Sequence, residues 1–231
     1  MTTHSTKGLT RPLSPTLVLF FIFQITAMSA QNIHSTVPQS INPNHTYVFY
    51  LHGLIVQQQG ANAVSEQYGP YEYQNIIETL AKLDYQVISE VRPKDSEIDT
   101  YGKKLVADIN TLLKGGVPPY KIVVIGASLG AYMAVEAAYN IRNSDINYIL
   151  LGMCSDYAFN YFADHNGTLC GNFFSIYETS DGPGSCKPLL GDTTCKKGFK
   201  ELALNMGIGH GFLYKPYEEW MEPVRKWIDG Q

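Results

Sequence analysis

A chain of 231 residues, 45% hydrophobic and 16% charged, is long enough for one compact domain with a sizeable core and too short for two ordinary ones. The balance sets aside disorder, collagen and coiled coil. With 17 Lys plus Arg against 21 Asp plus Glu the formal charge is −4, so no basic excess exists to neutralise a phosphate backbone and nucleic acid is not an expected partner.

Residues 1–30 differ from the rest of the chain. Lys7 and Arg11 give a positive start, and no acid occurs before Glu66. An apolar run follows over 16–28 (TLVLFFIFQITAM), closed by the small residues Ala27, Ser29 and Ala30. This is the layout of a secretory signal peptide cleaved after Ser29 or Ala30. The run contains Gln24 and is well short of the about 20 apolar residues that cross a bilayer, so no stable membrane span is expected after cleavage. The expectation is an exported protein, periplasmic or secreted, with 31–231 as its single domain.

Residues 31–45 are polar and contain Pro38 and Pro43, so they read as an irregular lead-in. Strands and helices then alternate. The β-branched and aromatic run 46–55 predicts a strand, 57–71 a polar loop, and Ile76, Ile77, Leu80 and Leu83 a helix over 72–83. A strand is expected over 85–91. A helix over 101–113 carries Leu105, Ile109 and Leu112 on one face and stops at Gly115 and Gly116. The apolar run 120–125 (YKIVVI) reads as a buried parallel strand, and 129–141 as an Ala-rich helix. Strands over 146–152 and 172–177 follow. An amphipathic helix over 217–228 carries Trp220, Met221, Val224 and Trp227. Strands separated by helices predict an α/β fold with a mostly parallel central sheet flanked by helices.

Cys154, Cys170, Cys186 and Cys195 are an even number, which in an oxidising compartment predicts two disulfides. Three pairings are possible. Cys154 with Cys170 and Cys186 with Cys195 are expected, because each closes a local loop. Spacings of 15, 15 and 8 intervening residues contain no C-x-x-C, so no metal site is expected. Asn44-His45-Thr46 and Asn166-Gly167-Thr168 fit N-glycosylation only in a eukaryotic source.

The strongest local signal is Gly126-Ala127-Ser128-Leu129-Gly130, placed between the strand YKIVVI and the helix LGAYMAVEAAYNI. A strand that reverses into a helix within a few residues strains the backbone at its turn. Glycines two positions to either side remove side chains that would collide there. Ser128 is then presented at the sheet edge, above the positive end of a helix. No phosphate-binding, dinucleotide or metalloprotease fingerprint is present, so no cofactor is expected.

The segment VVIGASLGAYMA resembles the nucleophile elbow of the α/β-hydrolase superfamily, and the chain agrees with that family over roughly residues 46–230. The resemblance implies a triad in the order Ser, acid, His. Ser128 is the nucleophile and His210, in GIGHGF before the closing helix, is the base. The family's acid follows a strand, a Gly and two residues, which matches Asp181. Glu178 occupies the expected Gly position and competes with it, and Asp156 is a third option used by some relatives. Leu129 and Leu54 would supply the oxyanion-hole N–H groups. His52, in His52-Gly53, takes a structural role under that loop, and His34, His45 and His165 none in catalysis.

Only 19 residues separate Gly152 from Asn172, too few for the family's cap. Tyr157, Phe159, Tyr161 and Phe162 in that stretch either wall an acyl pocket or pack on the sheet. The expected activity is serine hydrolysis of a small or polar carboxylic ester. The alternatives are a non-catalytic binding protein on the same fold, or a peptidase or acyltransferase using the same triad. Nothing in the sequence sets the oligomeric state.

Overall fold

The computed structural model describes residues 1, 2, 4, 32–165, 167–191 and 193–230. Apart from positions 1, 2 and 4, the expected leader lies outside the described residues, as does Asn166. Among the described residues no helix is long and apolar enough to cross a membrane.

The elements run β1 (Ile33–His34), β2 (Tyr47–Leu51), α1 (Leu54–Gln59), β3 (Val64–Ser65), β4 (Gly69–Pro70), α2 (Tyr73–Ala81), β5 (Gln86–Ile88), α3 (Ile98–Lys114), β6 (Ile122–Ala127), α4 (Leu129–Ile141), β7 (Asn147–Leu151), α5 (Asp156–Ala163), β8 (Cys170–Glu178), α6 (Lys187–Leu190), β9 (Cys195–Leu204) and α7 (Glu218–Asp229). The central sheet has the order β1-β5-β2-β6-β7-β8-β9, and every neighbouring pair is parallel. Strands β3 and β4 form a separate small antiparallel hairpin.

Alternate strand residues face opposite sides of the sheet. Tyr47, Phe49 and Leu51 of β2, with Ile122 and Val124 of β6, pack against Leu105, Ile109 and Leu112 of α3 and the Ala-rich face of α4. Val48, Tyr50, Val123 and Ile125 pack on the other side against Ile76, Ile77 and Leu80 of α2 and Trp220, Met221 and Val224 of α7. Burial on both faces explains why these strands are continuous apolar runs. Each such side chain removed from water contributes about 2 kcal/mol.

The strand order places the site. From β2 the chain moves outward to β5, then crosses back through α3 to β6 on the other side of β2. In open α/β sheets ligands bind at the carboxyl ends of strands where the order reverses, which here is between β2 and β6. The loops leaving that edge carry Gly53 and Leu54 after β2 and Ser128 after β6.

Four expectations need correction. The strand over 46–55 ends at Leu51, and the polar stretch 57–71 contains the end of α1 and the β3–β4 hairpin, because Gly53 has an extended backbone (φ −72°, ψ 175°) and starts a helix. The lead-in supplies β1, whose two residues pair with Val87 and Ile88. Strand β9 was not expected, since CKKGFKELAL reads as polar; it is an edge strand in which Lys197 and Lys200 are exposed, Glu201 accepts from the Ser185 hydroxyl and Cys186 N–H, and the backbone completes the sheet.

The disulfides join Cys154 with Cys186 (Cα–Cα 5.1 Å) and Cys170 with Cys195 (4.6 Å), not the local pairs expected. The reason is topological. Cys154 follows the carboxyl end of β7 and Cys170 begins β8, so in a parallel sheet they lie at opposite edges, separated by strand lengths of roughly 15 Å or more. The same holds for Cys186, beyond β8, and Cys195, which begins β9. A disulfide needs Cα atoms within about 7 Å, so only residues at one edge can pair.

Candidate active site

Ser128 stands in the turn between β6 and α4 with φ 50° and ψ −117°, a conformation that costs a non-glycine residue about 1–3 kcal/mol. Its N–H donates to the Leu151 carbonyl at 2.9 Å, and Ala131 N–H donates to its carbonyl at 2.9 Å. The flanking glycines are sterically required. A Cβ on Gly126 would lie 2.4 Å from Ala131 Cα, and one on Gly130 would lie 2.0 Å from the Leu51 carbonyl oxygen. The turn thus presents Ser128, partly exposed, at the head of α4.

His210 lies in a 3-10 turn over Gly209–Leu213, between β9 and α7. Its Nδ1–H donates to Asp181 Oδ2 at 2.6 Å, and Gly182 N–H donates to Asp181 Oδ1 at 2.8 Å. The segment leans over the ends of β7 and β8. A Cβ on Gly152, after β7, would lie 3.2 Å from Phe212, and Gly211 packs on Tyr68, which follows α1. Glu72 N–H donates to the Tyr214 carbonyl at 2.7 Å. The His210 turn therefore reaches from β9 over the ends of β7 and β8 to the segment around Tyr68 and Glu72.

Glu178, the competing acid, is buried and its carboxylate is taken up by backbone and hydroxyl donors. Its Oε1 accepts N–H from Met206 (2.9 Å) and Gly207 (3.0 Å), and its Oε2 accepts from Ser180 N–H (2.8 Å), the Ser180 hydroxyl and Gly209 N–H (3.1 Å). Burial pushes this carboxyl up, but the Ser180 hydroxyl and the backbone donors outweigh it and hold it down at about 2. Asp156 is exposed in the first turn of α5, whose N-cap is Ser155.

Neither a family model nor a curated protein matches the sequence. Solved structures do match by shape. SOBER1 of Arabidopsis thaliana is 12% identical with a TM-score of 0.51 over 80% of this chain and 98% of that one. The esterase RhEst1 of a Rhodococcus species is 13% identical, TM-score 0.51, over 82% and 92% of the two chains. The 2-hydroxy-6-oxo-6-phenylhexa-2,4-dienoate hydrolase of a Rhodococcus species gives 13% and 0.51 over 83% and 92%. The chain has the α/β-hydrolase fold.

In that fold Leu129 N–H is the first of α4 and Leu54 N–H the first of α1, and the opening N–H groups of a helix have no partner inside it. A Cβ on Gly53 would sit 3.6 Å from Ser128 Cβ, so the turn carrying Leu54 lies directly against the serine. His52 cannot act as a base. It is fully buried, its Nδ1–H donates to the Gly53 carbonyl (2.9 Å), and its Nε2 accepts from Arg92 N–H (3.0 Å). Burial, and then the Arg92 charge, push it down to about 3.

The aromatic stretch of α5 packs against α4. Phe162 is buried and stacks on Tyr132 and Tyr139, and Tyr161 meets Tyr132 and Phe162 edge-on. Tyr157, which is 68% exposed, meets Tyr132 and Tyr161, and Phe159 packs against the core; both also line an open cleft of about 540 Å³ with Cys154, Asp156, Pro183 and Ser185, beside Asp181. His165 Nε2 meets the buried Glu136 carboxylate at 2.8 Å and fastens the chain after α5 to α4. Among the described residues no group of three or more His, Cys, Asp and Glu is placed to hold a metal. Sequence reasoning missed Arg92 and Gln57, which lie buried behind the Leu54 turn. A lone Arg after a short strand carries no motif, so only its contacts reveal it.

Proposed function

We propose that this protein is an exported serine hydrolase that cleaves a small or polar carboxylic ester, with Ser128 as nucleophile, His210 as base and Asp181 as acid. The observation that carries the reading is the 2.6 Å His210–Asp181 hydrogen bond at the same carboxyl edge of the sheet as strained Ser128. Asp181 holds the tautomer in which Nδ1 is protonated and Nε2 is free to take a proton. Export is supported by two disulfides, which persist in oxidising compartments.

Ser128 Oγ attacks the acyl carbonyl carbon as its proton passes to His210 Nε2. The carbonyl oxygen becomes an alkoxide facing the N–H groups of Leu129 and Leu54. Collapse breaks the bond to the leaving alcohol, which takes the proton from His210 and leaves the acyl group on Ser128. Water then attacks the acyl-enzyme and gives its proton to His210. The second collapse releases the acid and returns the proton to Ser128. The cleft beside Asp181, walled by Tyr157 and Phe159, suits one small substituent of the ester.

The test uses a fluorophosphonate probe and short p-nitrophenyl esters. Labelling at Ser128 is expected, with turnover abolished in Ser128→Ala and kcat lowered about 10⁴-fold in Asp181→Asn. An unlabelled wild-type chain, or Ser128→Ala with full turnover, overturns the reading. Full activity in Asp181→Asn removes Asp181 from it.

A further inference from the structure

We infer that Arg92 is a positioning residue for the oxyanion turn: it grips both ends of the segment 52–57 and so fixes the direction of the Leu54 N–H. The inference rests on the hydrolase reading above. Three donors of Arg92 go to this one segment. Its backbone N–H reaches His52 Nε2 at 3.0 Å, its Nη2 reaches the His52 carbonyl, and its Nε reaches Gln57 Oε1 at 3.1 Å. Gly53 and Leu54 lie between the two gripped residues. Gln57 is anchored in turn, its Nε2 donating to the carbonyls of Lys94 (3.2 Å) and Ser96 (3.0 Å).

The direction of the Leu54 N–H follows from these bonds. Because Arg92 N–H donates to Nε2, His52 carries its ring proton on Nδ1, and that proton is donated to the Gly53 carbonyl. The Gly53 carbonyl and the Leu54 N–H belong to one planar trans peptide unit, so they point in opposite directions. With the carbonyl held beneath the turn by buried His52, the N–H points away from His52. The face of the turn that meets Ser128 is Gly53, where a Cβ would be 3.6 Å from Ser128 Cβ.

The guanidinium is also unusual electrically. Arg92 is 1% exposed, makes no ion pair among the described residues, and leaves Nη1 without a hydrogen-bond partner. Its compensation comes from the face of Tyr101, 5.4 Å away, and from carbonyl and amide oxygens. A buried charge with no carboxylate is costly if packing is its only purpose. Behind a turn where negative charge develops, it favours the alkoxide.

Full-length wild type, Arg92→Lys and Arg92→Met are compared in turnover of p-nitrophenyl acetate and in backbone hydrogen exchange read by mass spectrometry. The Met variant is expected to lose about 100-fold in kcat and the Lys variant, which keeps the charge without the fork, about 10-fold, each with KM within about twofold. Exchange should quicken selectively over 53–57. Unchanged exchange there, or a loss carried by KM alone, overturns the inference. If Arg92→Met does not fold, Arg92→Lys and Gln57→Met, which frees one end of the grip, carry the same readouts. A wild-type chain that neither reacts with fluorophosphonate nor turns over esters sinks the hydrolase reading instead, and the exchange measurement still decides whether Arg92 holds the turn.

Discussion

Glu178, the last residue of β8, and Asp181, in the loop after it, stand three residues apart and bond to different parts of the His210 segment. Asp181 meets the imidazole, whereas Glu178 collects the backbone donors of 206, 207 and 209 and so shapes the turn that carries it. Its folded pKa lies below the ordinary 4.5, so its stabilisation is fully present above that value and is lost as the pH falls toward about 2. Glu178→Gln should therefore melt well below wild type at pH 7, with the gap narrowing at about pH 3. An equal gap at both pH values would refute this role. Three carboxylates competed in the sequence because spacing places residues on a loop without aiming their side chains. The structure sorts them by burial and donors: Glu178 inside, Asp156 in solvent, and Asp181 against His210.

The elements around Ser128 were the most legible part of the chain. β6 is a continuous apolar run and α4 an Ala-rich one, with a glycine-bounded turn between them, so local pattern and tertiary role agree. Gly130→Ala tests this, since the added Cβ meets the Leu51 carbonyl oxygen at 2.0 Å. It should cost about 3 kcal/mol or more and yield insoluble or low-melting protein. Gly184→Ala is the control, since its Cβ meets nothing within 4 Å, and its melting should match wild type. A Gly130→Ala chain that melts like wild type would contradict the close packing of α4 on β2. By contrast, β9 was illegible because an edge strand needs no apolar run: Lys196, Lys197 and Lys200 belong to a strand whose backbone pairs with β8. β1 was illegible because it has only two residues.

At the scale of the whole molecule, the two disulfides fasten different edges of the sheet. Cys170–Cys195 fastens the start of edge strand β9, while Cys154–Cys186 ties the loop before α5 to the far end of the loop that carries Asp181. Closing chain separations of 32 and 25 residues is worth about 3.5 kcal/mol each in the loop-entropy account. Replacing either pair by Ser should lower the melting temperature. Only the Cys154/Cys186 replacement should also lower ester turnover at 20 °C, where both variants remain folded. Equal activity in the two variants would show that the loop carrying Asp181 needs no tether.

The sequence alone determined the alternation of strands and helices, the fold class, the serine turn and an even set of cysteines, because each is written in short-range periodicity or in a motif with its own steric logic. Only the tertiary structure decided the cysteine partners, the different hydrogen-bond partners of Glu178 and Asp181, the edge strands and the bonds of Arg92 to His52 and Gln57. These depend on which residues share one edge of a parallel sheet. That adjacency arises when crossovers bring distant strand ends together, and no local spacing records it.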